Sequence, residues 1–235
     1  MKIRSGIKSL FAVFCLFFGA TALEAQTDTI PAVSVDAKID LVSRYLFRGM
    51  DLGKGPSIQP NLAATWKGFS IGTWASYTMT GQGDLETDFF ISKTFSFVTL
   101  AVWDFWIFND ADGFNFFDYR DKTTAHTLEA SILLSGGEKL PFNFMAAYVF
   151  YGADPSRSLY LELQYVPKIS IADLVVFAGY QAKGTLYAEN PAFVNLGCTV
   201  KKSIEVTDRF SLPLSLSLIV NPAVKSAWLV AGITL

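Results

Sequence analysis

The chain has 235 residues, 51% hydrophobic, 15% aromatic and only 17% charged, with a formal net charge of −2 at pH 7 and mean hydropathy +0.34. An ordinary soluble domain carries roughly 25% charged residues, so this chain is short of solvating surface. Disorder is excluded, since it needs low hydrophobicity and high net charge. A nucleic-acid partner is excluded too, since it calls for a basic patch or stripe. The length fits one domain, and the composition leaves an oily soluble protein or a membrane protein.

Residues 1–25 read as a secretory signal: Lys2, Arg4 and Lys8 precede an apolar run from Leu10 to Ala20, followed by small residues at Ala20, Ala22 and Ala25. Cleavage after Ala22 or after Ala25 both fit. The run is too short for a retained anchor, which needs about 20 apolar residues. Cleavage removes Cys15 and leaves Cys198 alone, so no internal disulfide is expected. After Ala25 the remainder holds 16 basic and 20 acidic residues.

From residue 26 to 235 a single domain is expected, and its dominant period is two. Over 33–48, Val33, Val35, Ala37, Ile39, Leu41, Tyr45 and Phe47 share one face, and Asp36, Lys38, Asp40, Arg44 and Arg48 the other. That alternation predicts one strand. The pattern recurs over 69–79, 84–94, 126–134, 158–165, 211–220 and the final segment, where Ala227, Leu229, Ala231, Ile233 and Leu235 oppose Ser226, Gly232 and Thr234. Weaker strands are expected over 57–66, 97–108, 141–151, 173–181 and 192–201. Residues 97–108 are apolar on both faces, and Asp104 alone sets their register. The total is about twelve strands.

The connections alternate in character. Lys67-Gly68, Phe95-Ser96 and 136–139 are tight, whereas 49–56, 109–124 and 182–191 are long and rich in Gly, Asp, Asn and Pro; the link 202–210 is long where a tight one is expected. Short turns at one end and long loops at the other are the habit of outer-membrane barrels. Alternation alone also fits a soluble lipocalin-like barrel that binds an apolar ligand, with Leu159, Leu161, Leu163, Leu212, Leu214 and Leu216 pointing inward. Three features favour lipid. The polar face is rich in Ser, Thr, Gly and Asn rather than Lys and Glu. Aromatics gather near strand ends, as at Tyr45 and Phe47, Trp66 and Phe69, Trp106 and Phe108, Phe142 and Phe144, and Tyr148 and Phe150. The last residues form an alternating strand that can pair with the first, as closure in lipid demands.

The segment Leu41-Val42-Ser43-Arg44-Tyr45-Leu46-Phe47-Arg48-Gly49, with Pro56, Gln59 and Pro60 and then Gly72-Thr73-Trp74-Ala75-Ser76, resembles the TorF-like (Gcw_chp) family of bacterial proteins; His126-Thr127-Leu128-Glu129 has the same flavour. The resemblance implies an exported outer-membrane barrel and no particular substrate.

Catalytic and metal-binding motifs are sparse. His126 is the only histidine, so a Ser/His/Asp relay of the kind an outer-membrane hydrolase uses would need it beside an inward serine. It falls instead in the outward row with Leu128 and Ala130, and no Gly-x-Ser-x-Gly elbow accompanies it. The stretch Asn109-Asp110-Ala111-Asp112-Gly113 lacks the ligand spacing and glutamate of a calcium loop. Gly53-Lys54-Gly55 is no phosphate loop, and one cysteine with one histidine builds no zinc site. No cofactor or metal is expected.

The lumen carries the candidates. Lys38, Asp40, Arg44, Arg48, Glu86, Asp88, Asp104, Glu129 and Glu162 form an inward charge cluster, with Asp36 and Asp84 on the same side. Trp74, Phe90, Phe177 and Trp228 are expected to constrict the bore. Ion pairs such as Arg44 with Asp88 or Glu129 would close it. Selecting solutes and merely satisfying buried charge are the two uses of such a cluster, and the second has the stronger physical claim. The expected protein is an all-β, antiparallel up-and-down transmembrane β-barrel of about twelve strands, monomeric in the bacterial outer membrane. Its partners would be outer-membrane lipid and small polar solutes, its role a narrow channel or structural barrel, and no enzyme activity is expected.

Overall fold

The computed structural model describes residues 33–108, 115–137 and 139–235. The signal-like segment 1–25 and the Asn109–Gly113 stretch lie outside the described residues. Fourteen strands occur in chain order: β1 (Ser34–Val42), β2 (Leu46–Phe47), β3 (Met50–Asp51), β4 (Ser57–Trp66), β5 (Phe69–Thr78), β6 (Leu85–Phe95), β7 (Val98–Phe108), β8 (His126–Ser135), β9 (Phe142–Gly152), β10 (Leu159–Tyr165), β11 (Asp173–Lys183), β12 (Ala192–Thr207), β13 (Phe210–Asn221) and β14 (Ser226–Thr234). All but β2 and β3 form one closed barrel of twelve strands, each antiparallel to its neighbours. The described residues contain no helix long and apolar enough to cross a membrane, which has no bearing on strands.

Closure joins the first and last strands of the barrel, which would otherwise be its two edges. It rests on a short seam, Asp40↔Thr234, Leu41↔Ile233 and Val42↔Gly232. Ile39 and Leu235 extend it by exchanging backbone hydrogen bonds of 3.0 and 2.9 Å.

Side chains alternate across this wall because successive residues of a strand point to opposite faces. Tyr160, Glu162 and Gln164 of β10 are buried inside, whereas Leu163 between them is half exposed outside. Ser217 and Thr199 face each other inside while Leu216 and Leu218 are exposed outside. The leucine rows of β10 and β13 therefore face away from the lumen, the reverse of what an apolar binding cup requires.

Three expectations are corrected. Residues 33–48 are not one strand: β1 stops at Val42, and Leu46–Phe47 pairs with Met50–Asp51 across the two-residue turn Arg48-Gly49. Both turn residues have positive φ, 47° and 80°, the geometry that matches the twist of a hairpin. Tyr45 and Phe47 thus leave the outer row and become buried. In β7 the inward row is Ala101, Trp103 and Phe105, so Asp104 points outward; with both faces apolar, the charge misleads as a guide to register. The link 202–210 is also no long loop. β12 runs on to Thr207 and pairs with β13, leaving only Asp208-Arg209 as the turn.

Because the seam is so short, deleting Ile233–Leu235 is expected to prevent closure. Loss of the compact fast-migrating band on unboiled gels would accompany it, and normal mobility would show that the seam lies elsewhere.

Candidate functional site

The segment 43–56 does not extend away from the rim. It folds into the lumen as a hairpin. Arg44 holds its base, donating from Nε and Nη2 to the two Asp51 carboxylate oxygens at 2.9 and 2.7 Å. The Leu52 carbonyl accepts from the Asp84 amide at 3.0 Å, tying the hairpin to the loop before β6.

At the tip, Arg48 crosses the bore. Its Nη1 and Nη2 donate to Glu129 Oε2 and Oε1 at 2.5 and 2.8 Å, and Nη1 donates also to the Tyr187 hydroxyl. The guanidinium lies 4.6 Å from the Tyr160 ring centroid and 4.8 Å from that of Phe47. The pair is nearly dry, with side chains 5% and 2% exposed. A bidentate, hydrogen-bonded arrangement of this kind is what makes a buried ion pair tolerable. Gly49 lets the tip reach the wall: a Cβ there would sit 1.8 Å from the Val194 carbonyl oxygen, and its own carbonyl accepts from Asn221 Nδ2 at 2.9 Å.

The two halves of the lumen differ. On β5 to β7, Trp74, Phe90, Trp103 and Phe105 form an aromatic stack, with Phe90–Trp103 centroids 4.7 Å apart. The hairpin completes it through Tyr45 on Trp74 (5.2 Å) and Phe47 on Phe105 (5.5 Å). Tyr45 also donates to Glu86 at 2.7 Å. On β12 and β13 the inward rows include the small residues Gly197, Thr199, Ser215 and Ser217, while β10, β11 and β14 contribute Tyr160, Phe177 and Trp228. Glu162 accepts from Tyr160, from Gln164 at 2.6 Å and from Asn195 at 3.0 Å. The loop 184–191 is drawn inward by Gln181, whose amide oxygen accepts from the Tyr187 backbone at 2.7 Å, and this places Tyr187 against Arg48. Below the hairpin a cavity of about 400 Å³ remains.

The expected charge cluster is only partly brought together. Arg48, not Arg44, pairs with Glu129, because the turn carries it to the far wall; Arg44 stays with its hairpin neighbour. Lys38 and Asp40 lie 3.8 Å apart near the seam, and Asp40 accepts from Thr234. Glu86 and Asp88 are buried side by side on β6, and Glu162 lies across the bore on β10. Trp74, Phe90 and Phe177 are buried in inward rows, and Trp228 is inward and partly buried. Sequence reasoning missed the roles of Tyr45, Phe47, Tyr160 and Tyr187. The Arg48-Gly49 pair was the one local signal for the first two.

Asp104 and His126 meet outside the barrel. His126 is fully buried there, with Nδ1 2.7 Å from Asp104 Oδ1 and Nε2 2.7 Å from the Phe116 carbonyl oxygen. Tyr119 stacks on the imidazole at 4.0 Å and donates to Asp104 Oδ2 at 2.6 Å. Burial and that bond push the Tyr119 phenol up to about 12. The residues around Phe116 and Tyr119 therefore lie along the outer wall and roof a polar pair. Both ring nitrogens of His126 are engaged, and neither meets a serine. Among the described residues no group of three or more His, Cys, Asp or Glu could hold a metal.

Removing one partner of the dry pair should be costly. Arg48→Ala leaves Glu129 buried and uncompensated and is expected to lower unfolding stability by about 3–5 kcal/mol. The double change Arg48→Met with Glu129→Leu should recover most of that loss in denaturant titrations. A second prediction concerns the rim. Burial would push the Asp154 carboxyl up, but donors from Ser156 and Ser158, including the Ser158 amide at 2.7 Å, hold it below its ordinary value. A depressed carboxylate stabilises above the unfolded value and ceases to do so as pH falls through the folded one. Order in the loop before β10 should therefore survive to about pH 4 and fail in stronger acid. Asp154→Asn should abolish that acid transition, read from Ser158 amide exchange.

No curated protein and no solved structure matches the chain. A family model described as a bacterial protein of unknown function (Gcw_chp) matches residues 25–213. With most of its length covered, the chain belongs to the Gcw_chp family, a bacterial family of unknown function.

Proposed function

We propose that the protein is a monomeric outer-membrane β-barrel of the TorF-like kind, and that it works as a narrow channel for small polar solutes, closed by its own hairpin 43–56. The observation that carries this reading is the arrangement of its two surfaces. Ile71, Leu163, Leu216 and Leu229 are about half exposed or more on the outside, while Arg48, Glu86, Asp88, Glu129 and Glu162 are buried within. A wall that is apolar outward and polar inward suits lipid outside and a wet or ion-paired interior. Aromatics at strand ends, with Lys93 over Phe69 at 4.1 Å and Lys183 over Tyr148 at 5.6 Å, suit two interfacial belts. The export signal read in residues 1–25 supports the same compartment, with the tight turns on the periplasmic side and the longer loops outside.

The hairpin makes this a gated bore rather than an open one. The Arg48–Glu129 pair holds its tip, together with the Tyr45–Glu86 and Asn221–Gly49 hydrogen bonds, and is the contact most costly to break from one side. The outward leucines argue against a soluble apolar binder, and the occupied nitrogens of His126 argue against a hydrolase.

Planar-bilayer recording tests the reading. The unmodified barrel is expected to show rare, small conductance steps, and Arg48→Ala should raise the open probability at least tenfold. A variant as silent as the parent would leave a structural barrel as the better reading. Material that stays dispersed and compact without detergent would overturn the membrane assignment itself. Leu163→Arg, on the lipid side, should cost about 2–4 kcal/mol if it lies near the midplane, measured by urea unfolding in lipid vesicles.

A further inference from the structure

We propose that the cavity beneath the hairpin is a binding site for a neutral, polyhydroxylated solute of monosaccharide size. Its volume, about 400 Å³, falls in the range of small-molecule sites, roughly 300–1,000 Å³. The space borders β12 and β13, whose inward rows include the small residues Gly197, Thr199, Ser215 and Ser217. Gly197 lies opposite Ile219, Thr199 opposite Ser217, and Lys201 opposite Ser215, with Gly232 beyond. The other side of the lumen is filled by aromatic rings, so the bore is off-centre rather than blocked evenly.

The lining combines two kinds of surface. Hydroxyls and an amide come from Thr199, Ser215, Ser217 and Asn195, with the Thr199 and Ser217 hydroxyls 2.8 Å apart. Ring faces and edges come from Tyr45, Trp74 and Phe177. A sugar offers the matching pair, hydroxyls on its rim and a C–H face for a ring.

Several of the charges at or near the cavity have an opposite charge beside them, while Glu162 and Lys202 also line it. Arg44 is bound to Asp51, Arg48 to Glu129 and Lys38 to Asp40, while Asp173 stands directly across from Lys201 in the β11–β12 register. Glu162 accepts from three donors. A charged ligand would lose its hydration against groups already neutralised by their partners, a cost that pairing within the wall does not return. A neutral ligand avoids that cost.

This inference names a solute class for the channel proposed above and rests on that reading for transport, but binding requires only the cavity. The test is saturation-transfer NMR on the full barrel in detergent, with glucose, glutamate and lysine as separate probes. Transfer to glucose protons, with at least threefold less to either amino acid, is expected. Ser217→Leu, which fills the cavity from an inward position, should abolish the glucose signal, and Ser217→Ala should weaken it several-fold, with gel mobility of both variants unchanged. Transfer to glucose that survives Ser217→Leu in a correctly folded barrel would overturn the site. Equal transfer to a charged probe would overturn the neutral class. If Ser217→Leu fails to fold, Thr199→Leu on the facing strand takes its place with the same expected loss. A barrel that binds glucose yet never conducts would remove the channel reading while leaving this site standing.

Discussion

The bidentate contact between Arg48 and Glu129 spans the lumen, and most of the interior is organised around it. One partner sits on a two-residue turn, the other on β8, and neither is hydrated. Two charges in that position are stable only together. The tyrosines around them follow from this: Tyr187 accepts from the guanidinium and Tyr160 offers it a ring face. Gln181 then holds the loop that carries Tyr187. A single salt bridge thus recruits a hairpin from one end of the chain and a loop from the other.

The lumen is filled unevenly, and the unevenness has a physical origin. Bulky inward residues gather on β5 to β7 and smaller ones on β12 and β13, and the hairpin packs Tyr45 on Trp74 and Phe47 on Phe105, with Phe47 also reaching Tyr187. Aromatic stacking there leaves the polar side uncovered, and the cavity is what remains. The hairpin closes the bore at its upper level without filling it below.

Asp104 and His126 interrupt the apolar rows of the outer wall. They would be a liability among leucines and phenylalanines, since polar groups buried without a hydrogen-bond partner are expensive. Their mutual contact, the Tyr119 hydroxyl and the Phe116 carbonyl engage them from within the molecule, and the aromatic rings of the same segment cover them.

Period-two alternation by itself determined the architecture: twelve barrel strands, their approximate limits, and which rows of leucine and serine share a face. It does so because a strand's side chains have no third direction to take. It also identified Glu86, Asp88, Glu129 and Glu162 as inward. Alternation fails where the chain turns back on itself, since a hairpin of two residues per arm looks like a continuing strand; Tyr45 and Phe47 were misplaced for that reason, whereas Arg48 is inward as expected. It fails again where both faces are apolar, as in β7, because Asp104 finds its partner in a residue 22 positions away. Which charges pair, which loop fills the bore and where space is left all depend on contacts between distant segments. Those were decided only when the sheet closed and set opposite walls within reach of each other.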